Sequence, residues 1–375
     1  MKIATYNIQN LFHRDKGLIK LSAGRCFLNW INEMDFLMRK LFKGPNDVDR
    51  IKELSFLLGF ENSRRESYAV MRKRGGSLYL RGCNSSLENK ASSLSEWNGW
   101  IPLQNIPLNP GAISNKARVI AEVNADILLL QEIEERGSLL DFNMKLLYGH
   151  DRVPYQDLLV LQGNDDRGRE LAILTKNGFK VEEIRSFMDE RTVVGELLFD
   201  TNLLQYKVST PSKKTFWLIA VHFVDTGRDT ESAANMRFLQ SSRVAEIYQE
   251  MWDDGKENII IAGTLNEVCY SHYLSPLLQK TDLKDITKHP EFNVDIDLGI
   301  DADYYRMGAY RKGVNIKQKD YLLLSPEMFK RAIKGGLNRK AVWPDKFGKW
   351  NVYDTIGSKE QAASEHPVIW AEIDI

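Results

Sequence analysis

The chain has 375 residues, with 51 basic and 51 acidic side chains and a formal net charge of zero. Hydrophobic residues make up 43% and charged residues 27%, an ordinary soluble composition with enough apolar material for a large core. The charge balance excludes a whole-protein field that gathers polyanions, while leaving room for a local basic groove.

No apolar stretch approaches the roughly 20 residues that a membrane helix needs. The opening Met1-Lys2-Ile3-Ala4-Thr5-Tyr6 lacks the apolar centre and cleavage site of a signal peptide. Cys26, Cys83 and Cys269 have no metal-ligand spacing and suit reduced thiols. The expected compartment is therefore the cytoplasm.

Lys2 to Ile8 alternates and predicts a strand. The next stretch, about residues 13–111, is the hardest to read. Asp47 caps a short helix there with Ile51, Leu54 and Leu58 inward. Beyond it Arg64, Arg65, Arg72, Lys73 and Arg74 mix with Tyr68, Tyr79, Trp97 and Trp100. Such a mixture can grip nucleic acid by phosphate contacts and stacking, and it equally suits a solvated hairpin whose aromatics pack inward.

Ser114 is placed to cap a helix whose apolar face is Ala117, Ile120 and Ala121. Ile127-Leu128-Leu129-Leu130 follows, a continuous apolar run that predicts a strand. Leu139, Phe142, Leu146 and Leu147 then recur at helical spacing. Leu171–Leu174 and Phe216–Phe223 are further strands. Val244, Ile247, Tyr248 and Met251 lie at i, i+3, i+4 and i+7, an amphipathic helix that Gly255 can end. Asn258–Ala262, Tyr321–Leu324 and Val368–Ile373 complete the strands. Several strands follow one another without a helix. The pattern therefore fits an α/β (α+β) sandwich, two packed mixed β-sheets flanked by helices, better than a doubly wound parallel sheet.

Short polar segments stand beside most of the strands: Thr5-Tyr6-Asn7, Leu130-Gln131-Glu132, Val221-His222, Gly263-Thr264-Leu265-Asn266, Lys319-Asp320-Tyr321 and Ser364-Glu365-His366-Pro367. Each is weak alone. Their order and their apolar neighbours resemble the endonuclease/exonuclease/phosphatase superfamily, in its bacterial branch. The resemblance runs from Lys2 to Ile375 and is poor over about 13–111. It implies a deoxyribonuclease-like fold, with residues 1–375 as a single domain carrying an insertion at about 13–111.

The resemblance also implies the chemistry of the segments. Asn7 and Glu132 are expected to hold Mg²⁺ or Mn²⁺, a hard cation that needs only one or two carboxylates and keeps its waters. Glu365 stands where the family usually has Asp and is expected near the metal. His222, Asn266 and His366 are expected on the phosphate, with Asp320 fixing the tautomer of His366. Gln131 and Glu134 belong to the supporting set.

Thr264 departs from the family, most of whose active members carry Asp there to activate the water. A threonine cannot serve as a base near neutral pH, although it can orient a water. Glu267, in the same loop, is a candidate substitute and otherwise an exposed loop carboxylate. In Asp165-Asp166-Arg167-Gly168-Arg169-Glu170, Arg167 either clamps a phosphate bidentately or forms a loop ion pair. Asp295, Asp297, Asp301 and Asp303 lack the glycine and closing glutamate of a calcium loop and read as a solvated acidic loop.

The function expected is a metal-dependent phosphoesterase that uses in-line attack by water, with a nuclease as the first reading. A small-molecule or lipid-headgroup phosphodiesterase or phosphatase is the second. A catalytically weak binding protein, with phosphoester or nucleic acid as partner, is the third, motivated by Thr264.

Overall fold

The structure is a computed structural model describing residues 1–11, 13–15, 24–58, 71–73, 79–80, 99–101, 105–133, 136–150, 153–161, 163–165, 169–225, 230–298, 317–344 and 349–375. The chain divides into two compact units. One comprises Met1–Leu11, Asn109–Asp165 and Arg169–Ile375; the other comprises Phe12–Leu108 and Asp166–Gly168.

The first unit is built on two mixed sheets. One sheet has seven strands, in the order Phe292–Asn293, Ala332–Asn338, Val368–Ile373, Lys2–Asn7, Ile127–Ile133, Glu170–Thr175 and Asp157–Leu161. Lys2–Asn7 runs parallel to Ile127–Ile133 and antiparallel to Val368–Ile373. The other sheet has six strands, in the order Lys180–Ser186, Leu203–Ser209, Thr215–His222, Ile259–Thr264, Asp320–Leu324 and Lys284–Asp285. Thr215–His222 and Ile259–Thr264 are its parallel pair.

Alternate residues of both sheets form one core. Ile3, Ile127, Leu129, Ile173 and Ile369 of the first sheet pack with Leu204, Tyr206, Leu218, Ile260 and Leu322 of the second. The opposite face of the second sheet supplies Ile219, Val221, Ile259, Ile261 and Leu323. These pack with Val244, Ile247, Tyr248 and Met251 of the helix Thr230–Asp253. The protein is thus an α/β sandwich of two packed mixed sheets flanked by helices, the architecture that the strand pattern predicts. No helix among the described residues is long and apolar enough to cross a membrane.

All seven strands expected from the sequence are present. Asp157–Leu161, Lys180–Ser186, Leu203–Ser209 and Ala332–Asn338 were not expected. Lys180–Ser186 is an edge strand with mostly exposed side chains, so burial leaves no apolar pattern in its sequence. Ala332–Asn338 carries Gly335 and Gly336, where the large side chains of Ile286 and Trp370 approach the backbone.

The helix expected to start at Ser114 starts earlier, at Pro110. Asn109 caps it by accepting the Gly111 N–H at 2.8 Å, and proline occupies a first-turn position where no N–H is needed. Asn124, at φ +51°, ends the helix. Gly255, at φ +78°, follows the Thr230–Asp253 helix.

The second unit contains the helices Gly24–Arg39 and Pro45–Leu57 and short strands that include Met71–Lys73. Ile31, Met34, Met38, Ile51, Leu54, Leu58 and Met71 form its core. Asp47 lies inside the first helical turn and accepts the Gly44 N–H at 3.1 Å. It therefore reaches back to the cap position, which Gly44 occupies. The side chains of the basic and aromatic mixture between Arg64 and Trp100 lie outside the described residues, as do Asp301 and Asp303.

Asp297 is not solvated, whereas Asp295 keeps the exposed side chain expected of it. Arg339, fully buried, donates to Asp295 Oδ1 at 3.0 Å and to Asp297 Oδ1 at 2.5 Å. Its guanidinium also lies 4.6 Å from the Trp350 ring. Asp297 is 1% exposed; a carboxylate in that position requires a paired cation, and the cation is 42 residues away in sequence.

Replacing Arg339 with methionine keeps much of the side-chain volume and removes the guanidinium. Breaking one partner from a buried pair costs about 3–5 kcal/mol. Urea unfolding of Arg339→Met should show a loss of that order; a loss below about 1 kcal/mol would place the pair among the weak surface bridges.

Candidate functional site

Strand register builds half of the site. Parallel pairing sets His222 opposite Thr264, and antiparallel pairing sets Thr264 opposite Asp320. Three polar residues from distant parts of the chain thus form one row across the end of the second sheet. Gly263 makes the row possible. Its φ is +145°, and a Cβ there would stand 1.9 Å from the Val221 carbonyl oxygen. Only glycine permits this backbone approach.

The first sheet supplies the opposing half. Asn7 pairs with Gln131, and the next residue, Glu132, falls where the ladder is irregular between Leu130 and Ile133. Its φ is +61°, a conformation that costs a non-glycine residue about 1–3 kcal/mol and is retained where the surroundings fix it. Such bulges re-aim a side chain out of the ladder. Gln131 is buried and exchanges hydrogen bonds with Thr5, its Nε2 donating to Oγ1 at 3.1 Å. Glu134 lies outside the described residues.

Glu132 is the electrostatic centre. Its Oε1 accepts the Asn7 Nδ2–H at 3.0 Å and lies 3.8 Å from Arg169 Nη1. His222 Nε2 approaches the same oxygen at 3.4 Å, and neither ring nitrogen has a hydrogen-bond partner among the described residues. Burial is the strongest single influence on the carboxyl and opposes its ionisation. His222, Arg169 and His366 together outweigh it and hold the group well below the usual carboxylate range. Oε2 has no hydrogen-bond partner among the described residues, and the side chain is 15% exposed. One oxygen of the carboxylate is thus left without a hydrogen-bond partner among the described residues.

Asn7 is fully buried, and its Oδ1 accepts the Gln9 N–H at 3.1 Å. Glu365 is directed elsewhere: its side chain is 63% exposed and its carboxylate pairs with Lys359 at 3.0 Å. Its backbone N–H reaches inward, donating to Gln9 Oε1 at 2.8 Å. Among the described residues no three acidic, histidine or cysteine groups are arranged to hold a metal. The oxygen donor here is the Glu132 carboxylate, and one carboxylate suits a hard cation that keeps most of its waters. Asn7 turns its Nδ2 to that carboxylate and its Oδ1 to the Gln9 N–H, so it could reach a cation only through the remaining lone pair of Oδ1.

Asp320 and His366 form the second focus. Asp320 is 2% exposed. His366 Nδ1 stands 2.9 and 2.8 Å from its two carboxylate oxygens, so Nδ1 carries the hydrogen. Burial pulls the His366 pKa down, but the charge and hydrogen bond of Asp320, helped by Glu132, raise it above the ordinary histidine value. Thr264 is fully buried and its hydroxyl donates to Asp320 Oδ1 at 2.7 Å. The threonine thus serves the carboxylate and has no proton left for a water.

Asn266, at φ +53°, donates from Nδ2 to the Phe223 carbonyl at 2.8 Å, leaving the second amide hydrogen for a ligand. Glu267 is already engaged: Arg237 Nη2 lies 3.2 Å from its carboxylate, and the Val268 N–H donates to it at 3.1 Å.

Arg167 lies outside the described residues. The arginine that the structure places at Glu132 is its neighbour Arg169, which the sequence reading assigned no role. Arg169 is 8% exposed, with Nε 2.5 Å from Asp165 and Nη1 3.1 Å from Asp225. Burial opposes its charge, and the surrounding carboxylates keep its pKa raised nonetheless.

Sequence reasoning also passed over Ser364, whose Oγ donates to the Asn7 carbonyl at 2.7 Å, and Gln9, whose Oε1 accepts the Glu365 N–H. Lys116 is a third omission. Its helical spacing from Ala112 and Ile120 places it on the buried face of Pro110–Val123, a signal available in the sequence.

No protein-family model matches the chain, and no curated protein matches it. Solved structures similar to it include endonuclease/exonuclease/phosphatase family proteins. One is the mannosyl-6-phosphatase of Bacteroides thetaiotaomicron, with 15% identity, 71% of this chain and 92% of that chain covered, and a TM-score of 0.48. A second, described as an endonuclease/exonuclease/phosphatase family protein of the same bacterium, has 14% identity, covers 70% of this chain and 88% of that one, and has a TM-score of 0.46. The third is the catalytic domain of human Nocturnin, with 14% identity, 71% and 88% coverage and a TM-score of 0.45.

Proposed function

We propose that the protein is a metal-dependent phosphoesterase that hydrolyses phosphodiester bonds by in-line attack of water, and that its substrate class is nucleic acid. One observation carries the reading: Glu132, with one oxygen unpartnered among the described residues, lies within electrostatic reach of the buried Asp320–His366 dyad. The nuclease assignment follows the basic and aromatic side chains between Arg64 and Trp100. Solution assays on single-stranded DNA, RNA and small phosphoesters distinguish it from a small-ester enzyme.

Glu132 and Asn7 would hold Mg²⁺ or Mn²⁺, which when bound neutralises phosphate charge and lowers the pKa of a coordinated water. The remaining roles belong to side chains. With Nδ1 held by Asp320, His366 has Nε2 left for a phosphate oxygen, to which it donates when the ring carries its second proton, and Asp320 fixes the ring and stabilises that charge. Buried His222, whose ring nitrogens have no hydrogen-bond partner among the described residues, would donate one N–H to a further phosphate oxygen. Asn266 adds its second amide hydrogen. Donors fixed before the reaction need no reorganisation as charge develops.

Beside Asn266, neither Thr264 nor Glu267 is a ready base. Thr264 does not ionise near neutral pH, and Glu267 is bound to Arg237. A positioned base is worth roughly 10²–10⁴-fold, so the expected turnover lies below that of an enzyme that has one.

Glu132→Gln should abolish Mn²⁺-dependent cleavage of bis-(p-nitrophenyl) phosphate and weaken Mn²⁺ binding in calorimetry. Wild-type cleavage that continues unchanged in excess EDTA would rule out the metal mechanism.

Thr264→Val removes a donor to a buried charged group, an interaction worth about 1.5–3 kcal/mol, so kcat should fall at least about 10-fold. Glu267→Gln should stay within about twofold of wild type, because tenfold corresponds to about 1.4 kcal/mol of barrier and the carboxylate is given no share of it. A nearly inactive Glu267→Gln would identify that residue as the base after all.

The pH dependence follows from His366. Its folded-state pKa is raised, so the stability it contributes is complete below the unfolded value of about 6.5 and is lost as pH rises through the folded value. NMR titration of the metal-free protein should place the His366 midpoint above the ordinary one. In Asp320→Asn the burial penalty remains without the carboxylate, and the midpoint should drop below it. An unchanged midpoint in the variant would contradict the coupling.

A further inference from the structure

The helix Pro110–Val123 buries Ala112, Val119, Ile120 and Val123, and on the same face it buries Lys116 completely. An ammonium in that position is costly unless its hydrogens are matched. Lys116 Nζ donates to two backbone carbonyls, those of Ile8 and Ala363, which are more than 350 residues apart in sequence. Ile8 follows Asn7. Ala363 precedes the segment Ser364-Glu365-His366.

The same two segments are joined by further hydrogen bonds. Ser364 Oγ donates to the Asn7 carbonyl at 2.7 Å. Gln9 Oε1 accepts the Glu365 N–H at 2.8 Å. One helical turn supplies a further tie, Asn115 Nδ2 donating to the Gln361 carbonyl at 2.9 Å. A single side chain with three donor hydrogens thus grips one segment that carries Asn7 and another that carries His366.

We infer that Lys116 is a positioning residue, a buried amino group that fixes the spacing between the Asn7–Glu132 pair and the Asp320–His366 dyad. Its link to catalysis rests on the phosphoesterase reading; its link to the geometry of the two segments does not. A methionine would fill the same volume but offer no donor to either carbonyl. The segments would then be free to shift against each other, and misplacement of reacting groups by about 1 Å costs on the order of 10²-fold in rate. Glutamine retains a neutral donor and should fall between lysine and methionine.

The test combines kinetics with amide hydrogen exchange on the full chain, comparing wild type, Lys116→Met and Lys116→Gln. In Lys116→Met, kcat at saturating Mn²⁺ and bis-(p-nitrophenyl) phosphate should drop about 10- to 100-fold, with KM changing much less. The amides of Ile8, Gln9, Asn10, Glu365 and His366 should exchange at least about 10-fold faster, while those of Trp217–Val221 and Ile259–Ala262 keep their protection.

Acceleration spread evenly over both sheets would mark Lys116 as a general stability element and overturn the inference. So would a kcat within twofold of wild type. If Lys116→Met does not fold, the glutamine variant must show the same local pattern at smaller amplitude or the inference falls. If wild type itself cleaves no phosphoester, the phosphoesterase reading fails, and the exchange pattern alone decides the role of Lys116.

Discussion

Asp320 belongs to the second sheet, and His366 to the segment that enters the first. The hydrogen bond between the Asp320 carboxylate and His366 Nδ1 therefore spans the two halves of the sandwich at its open end. A carboxylate 2% exposed is tolerated only when its acceptor positions are filled. His366 and Thr264 fill them. Both donors depend on strand register: slipping Ile259–Thr264 by one residue would turn Thr264 to the other face of the sheet.

Charge in the site is arranged by burial and by neighbours that pull in opposite directions. Glu132 is kept ionised despite its surroundings, whereas burial pushes Asp165 and Asp200 up in spite of Arg169 and His222 nearby. Carboxyl groups driven apart in this way are a recurrent feature of sites that handle protons and charge. Arg169 joins them, since its guanidinium touches Asp165, Asp225 and the edge of Glu132. The left-handed backbone at Glu132 fits the same picture, in which strain is held where function needs a side chain aimed out of a ladder.

Much of this was legible in the sequence because strands advertise themselves and site residues sit at their ends. Continuous apolar runs located Ile127–Leu130 and Ile259–Ala262, and the polar residues after them, Glu132 and Asn266, could be singled out at once. The Asp320–His366 contact was expected from the family resemblance. Edge strands such as Lys180–Ser186 were illegible, because solvent on their surfaces erases the apolar period. The pairing of Arg339 with Asp297 was hidden for another reason: nothing local in an acidic loop announces a cation that arrives from a distant strand. Thr264 was noticed as a substitution, but its partner could be found only in three dimensions. Lys116 was overlooked although its spacing marked it, since a lysine in a helix is ordinarily read as solvent-facing.

The central claim is that a divalent cation and a phosphate meet between Glu132 and His366. The most direct measurement is a crystal structure with Mn²⁺ and inorganic phosphate, with the metal located by its anomalous signal. The account predicts a manganese peak against the Glu132 carboxylate, on its open oxygen, and a phosphate in contact with His366 Nε2 and His222. Manganese bound elsewhere, with Glu132 and His366 touching neither ion, would contradict it.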